Sequence, residues 1–175
     1  MIGQVQETVS TLRRSALRLA AEYEGHDEHR PLRGYTKALA SYAAAVVGFA
    51  ALGRRAGLQI PDRVPVSDMA LLAVMTFRVS RLLTKSAVAS PLRAPFTTFK
   101  GSGGTGEVLE EVRENGDLHA VGELLTCPFC LAQWIATTSI AAYVAAPRQT
   151  RLAATAMTLA TASDVLQIAY DDLRN

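Results

Sequence analysis

A chain of 175 residues suffices for one compact domain; its charged fraction of 19% falls below the roughly 25% of an average soluble domain, and its hydrophobic fraction is 49%. The net charge of +2 is too small, and the basic residues too dispersed, to mark a nucleic-acid surface or a charged tail. With only Cys127 and Cys130, the chain cannot carry the disulfide framework of a small secreted domain.

Met1 to Ser10 is polar and predicts no secretory signal peptide, and no lipidation motif is present. Residues 3–24 predict an amphipathic helix, because Val5, Val9, Leu12, Ala16, Leu19 and Tyr23 recur every three or four positions. Packing of this stripe against the rest of the chain is the leading reading. A membrane-surface helix and a short coiled coil stay open beside it. With the polar stretch around Pro31 it forms an N-terminal unit, residues 1–34. Residues 35–175 are the main helical domain.

Four apolar segments follow: Thr36–Gly53, Val66–Thr84, Leu124–Pro147 and Leu152–Tyr170. A bilayer core needs a helix of about 20 residues, with a range of about 17 to 25, so each segment is just long enough. Tyr35, Trp134, Tyr143 and Tyr170 stand near segment ends, where aromatic rings favour the headgroup region. Ala43, Gly48, Ala153 and Ala160 give segments one and four the small residues that let helices approach in lipid. A soluble Ala-rich bundle would need a polar face on every helix, and segments one and three have almost none. The expected fold is all-α, with about four transmembrane helices in an antiparallel bundle plus the N-terminal amphipathic helix. The lipid bilayer is the first partner; a homo-oligomer or another membrane protein is a second.

Lys and Arg set the orientation. The N-terminal side holds eleven, from residues 1–37, the loop 85–123 and Arg174; the other side holds five, Arg54, Arg55, Arg63, Arg148 and Arg151. Both termini and the loop are therefore expected in the cytoplasm of a cell membrane. Within that loop, Pro91 and Pro95 prevent a continuous helix, Gly101–Gly106 reads as a flexible hinge, and Glu107–Glu114 as a short amphipathic helix.

Cys127-Pro128-Phe129-Cys130 is the sharpest local motif. Pro128 suits the first helical position, which makes Cys127 or Thr126 the cap. A redox pair of thioredoxin type expects a strand and a βαβ unit around the motif, and neither is predicted. A metal site needs about four ligands, and only His119 and Glu123 stand near enough in sequence to assist Cys127 and Cys130. Packing of a tight helix start is the remaining reading, and no cofactor is expected. Arg78, Arg81 and Asp164 form a second constellation, since both segment ends enter from the cytoplasmic side at a shared depth. A charge at mid-bilayer costs about 2.5–3.5 kcal/mol on insertion scales, so Asp164 should pair with Arg78 or Arg81. No catalytic arrangement can be assembled from the remaining His, Ser and Asp residues.

Three runs together, Phe77–Lys85, Ser90–Phe96 and Gly122–Trp134, resemble the bacterial domain-of-unknown-function family 1360. The resemblance covers roughly residues 67–172, with Ala132 where such proteins often carry Gly. It implies a small multipass membrane protein, a Bacillus member of which is labelled a sporulation protein, and it brings no reaction. The expected function is a non-catalytic interaction, assembly or envelope-associated factor. A membrane thiol protein, redox-active or metal-binding through Cys127 and Cys130, is the alternative.

Overall fold

The computed structural model describes residues 2–23, 32–113 and 116–174. Seven α-helices occur among them: α1 (Ile2–Tyr23), α2 (Leu32–Arg55), α3 (Val66–Lys85), α4 (Ser90–Arg93), α5 (Gly116–Thr126), α6 (Pro128–Ala145) and α7 (Pro147–Arg174). Two strands, β1 (Thr97–Gly104) and β2 (Glu107–Val112), form one antiparallel hairpin. The fold is mostly helical rather than all-α.

The hairpin replaces both the expected hinge and the expected helix at Glu107–Glu114. Val108, Leu109 and Val112 fit a helical stripe, yet their backbone pairs from Thr97↔Val112 to Gly104↔Glu107. Gly106, with φ of 75°, takes the left-handed turn that a β-carbon disfavours. Tertiary pairing with β1 thus decides a segment whose local pattern allowed either state.

Among the described residues, three helices rather than four are long and apolar enough to cross a membrane by length and composition: α2, α6 and α7. α3 has the length but carries Asp68, Arg78, Arg81 and Lys85. The expected 24-residue third segment is also divided. Pro128 has no backbone N–H to give to the preceding turn, so the chain breaks at Cys127 into α5 and the 18-residue α6.

α3 is the centre of the packing. Leu72 and Met75 of α3 meet Tyr143 of α6 and Ala154 of α7, with Leu71, Val79 and Met157 around them. α2 joins through Tyr42, whose ring lies edge-on to Trp134 at 5.1 Å. The Tyr42 hydroxyl bonds Thr137 Oγ1 at 2.7 Å and accepts from Gln133 Nε2 at 2.8 Å. α5 presses directly on the hairpin base at Gly122, where a β-carbon would stand 2.4 Å from Val112 Cγ1 and 3.2 Å from the Phe96 carbonyl oxygen. α1 is a helix as expected, and Val9, Leu12 and Leu19 on its stripe are exposed. The packing of that stripe against the domain is not seen at these three residues.

Candidate functional site

The helices are joined by charged groups at both ends of the α3–α7 contact. Asp68 lies in the first turn of α3, where a carboxylate meets the positive end of the helix dipole. Its Oδ2 accepts from Arg151 Nε at 2.9 Å, from Arg151 Nη2 at 2.6 Å and from the Tyr143 hydroxyl at 2.5 Å. The Arg151 guanidinium also lies over the Tyr143 ring, 5.5 Å from its centre. One buried carboxylate therefore ties the starts of α3 and α7 to the end of α6. Further along, Arg78 of α3 forms an ion pair with Asp164 of α7. The two pairs have opposite polarity: α3 gives acid then base, and α7 gives base then acid. They fix α3 and α7 parallel and in one register, since sliding either helix sets like charges together.

Arg81 does not share in the Asp164 contact. It turns to the hairpin, where Nε and Nη2 donate to Glu107 Oε1 and Oε2 at 3.0 and 2.9 Å. The three residues grouped by sequence are thus divided between two partners, and Glu107 is one that periodicity assigned to a different element.

A second buried pair holds the hairpin to α3. Arg93 is fully buried and Glu110 is 7% exposed. Arg93 Nε donates to Glu110 Oε2 at 2.6 Å and Nη2 to Oε1 at 3.1 Å. Its remaining donors reach the carbonyl oxygens of Leu83 (2.7 Å) and Ser86 (3.0 Å), at the end of α3. Arg93 therefore caps a helix C-terminus, where backbone carbonyls lack partners within the helix.

Burial pushes the Glu110 carboxyl up, but the hydrogen bonds and charge of Arg93 and the Ser90 hydroxyl outweigh it, and the net shift is downward. A carboxyl depressed in the folded state adds stability above its unfolded pKa. That contribution is lost as pH falls through the folded value. Thermal melts in detergent are expected to weaken on acidification below the ordinary Glu value of 4.5. Glu110→Gln should remove this part of the acid sensitivity; an unchanged pH profile in that variant would show that Glu110 is not its source.

Cys127 is the N-cap of α6, and its Sγ accepts the Cys130 backbone N–H at 3.2 Å. It fills the position usually held by Ser, Thr, Asp or Asn, with Pro128 behind it. Cys127 is half-buried, Cys130 is exposed, and both are free thiols. His119 and Glu123 face each other on α5 at 3.5 Å. Among the described residues, no three His, Cys, Asp or Glu side chains converge as metal ligands would.

Sequence reasoning passed over Asp68 and Glu110, and used Tyr143, Arg93 and Arg151 only as interfacial and topological markers. The one signal for Asp68 was an acid just inside an apolar helix start. Arg93 and Glu110 stand 17 residues apart with a strand pairing between them, and carry no local signature.

Searches of curated proteins and of solved structures return no match. A family model described as a protein of unknown function (DUF1360) matches residues 71–170. That span runs from the first third of α3 to the last turns of α7 and includes the Arg78–Asp164 and Arg93–Glu110 pairs, the hairpin and the capping cysteine. The match covers more than half of the chain, which is therefore a member of the DUF1360 family.

Proposed function

We propose that the chain is a multipass integral membrane protein that acts by binding and assembly rather than by catalysis. The carrying observation is the exposure of its apolar helices. In the most apolar stretches of α2, α6 and α7, the buried share is 0%, 17% and 6%. Soluble monomers rarely expose contiguous apolar patches beyond a few hundred Å². Phe49 and Leu52 on α2, and Leu159 and Ile168 on α7, belong to this open surface. Lipid is the solvent that such a surface fits. The paired charges support the same reading, because intramembrane ionisable groups are tolerated when they face protein and are partnered. α3 is then the fourth span, carried by its neighbours.

The bias of eleven basic residues against five supports a topology with both termini and residues 85–123 in the cytoplasm. The protein is expected to stay in the pellet after carbonate washing of membranes. In a chain with Cys127 and Cys130 replaced by alanine, cysteines introduced at Arg63 and Gln149 should label from outside, and one at Gly103 should not. Release of folded protein by carbonate rejects the membrane reading, and outside labelling at Gly103 rejects the topology.

The thiol reading keeps one supporting observation, the exposure of Cys130. A freshly purified sample with about one zinc per chain or per two chains, or with a reversible disulfide, would favour it. The cap geometry favours the structural role, in which Cys127→Ser is tolerated as an alternative cap.

A further inference from the structure

A groove of about 520 Å³ runs between α3 and α6. It extends from Arg81 and Phe129 at one end to Met69 and Ile140 at the other, with Ala73 and Ala136 along its walls. Thr76 and Ser80 also line it, but their hydroxyls donate to the Leu72 and Phe77 carbonyls of their own helix. The wall is thus apolar, and Arg81 is its one charged residue.

We propose that this groove seats one acyl chain of an anionic phospholipid from the cytoplasmic leaflet, with Arg81 donating to the lipid phosphate. The inference rests on the membrane reading above.

The groove is long and apolar. From Met69 to Arg81 α3 rises about 18 Å, a length that an extended acyl chain spans, and the hydroxyls on its wall are bonded within α3.

Charge selects the head group. Arg81 commits Nε and Nη2 to Glu107 and remains 46% exposed. Its Nη1 has no hydrogen-bond partner among the described residues and retains two donors. Lys85 stands one turn further along the same helix face. With Glu107 counted, these groups leave the mouth one positive charge in excess. That excess favours a phosphate without a compensating ammonium. The exposed Phe129 ring beside the mouth stands where the first carbons of the chain would pass.

The test is native mass spectrometry of the full chain in mild detergent, titrated with phosphatidylglycerol and phosphatidylcholine of identical chains. One phosphatidylglycerol per chain is expected, preferred about fivefold, the ratio that one basic side chain near a membrane surface supports. Ala136→Phe should fill the slot and lose the lipid. Arg81→Gln should keep lipid and lose the preference. Equal binding of the two lipids by the unmodified chain overturns the head-group assignment without any variant. Full retention by a folded Ala136→Phe chain overturns the groove assignment, as does co-purification of a free fatty acid or a crosslink from the groove to another protein's helix. Carbonate extraction of the same preparation separates the two levels. A carbonate-resistant protein with no bound lipid defeats this inference alone, and a released protein defeats the membrane reading with it.

Discussion

Replacing Arg93 with alanine is expected to cost about 3–5 kcal/mol of stability, the usual range when one partner of a buried ion pair is removed. The side chain is fully buried and makes two bonds to Glu110 and one each to the carbonyls of Leu83 and Ser86 at the end of α3. Its loss leaves a buried carboxylate without a counter-charge and reopens the C-terminus of α3. The damage should be local first. Limited proteolysis is expected to cut the hairpin between Thr97 and Val112 while α6 and α7 stay protected. A double replacement, Arg93→Met with Glu110→Leu, should recover much of the loss, because apolar groups of similar size can replace a buried pair at little cost. A loss below about 1 kcal/mol for Arg93→Ala, as for an exposed pair, would show that the guanidinium is solvated.

The second large effect is expected at Asp68. Asp68→Ala removes the acceptor for two Arg151 donors and for the Tyr143 hydroxyl. The side chain of Asp68 is 8% exposed and that of Asp164 is 44% exposed. Asp68→Ala is therefore expected to lower the melting temperature clearly more than Asp164→Ala does. Asp68→Asn keeps an acceptor and should fall between them. Melting of the detergent-solubilised chain ranks the three. The reverse order, with Asp164→Ala the most damaging, would move the main helix clamp to the other end of α3.

The parts legible in the sequence were those set by local chemistry. Hydropathy located α2, α3, α6 and α7 to within a few residues at most ends, and Pro128 gave the start of α6 and narrowed its cap to Cys127 or Thr126, of which Cys127 holds the position. A contact of Asp164 with Arg78 or Arg81 followed from placing the ends of the second and fourth apolar segments on one side, and Arg78 is the partner. The hairpin was lost because Glu-Val-Leu-Glu-Glu-Val satisfies a helical spacing as readily as an alternating one. The glycines at 103, 104 and 106, between two runs with strand formers, were the available hairpin signal. Asp68 was absorbed into a segment boundary, where an acid is ordinary. Arg81 was one of two candidate partners for Asp164, and its contact with Glu107 was missed because Glu107 belongs to an element whose type was misread.

The reciprocal charges on α3 and α7 also bear on how the chain is made. The partners Asp68 and Arg151 are 83 residues apart, and Arg78 and Asp164 are 86 apart. At about 5–20 residues per second, a ribosome adds each partner on α7 roughly 4–17 seconds after its counterpart on α3. Throughout that interval α3 carries an acid and at least one base without their counter-charges. If the helices enter a bilayer, α3 is a poor passenger by itself and a good one beside α7. Insertion then couples the two helices across the whole hairpin and α6, and a nascent chain cut short before Arg151 leaves α3 stranded at the translocon.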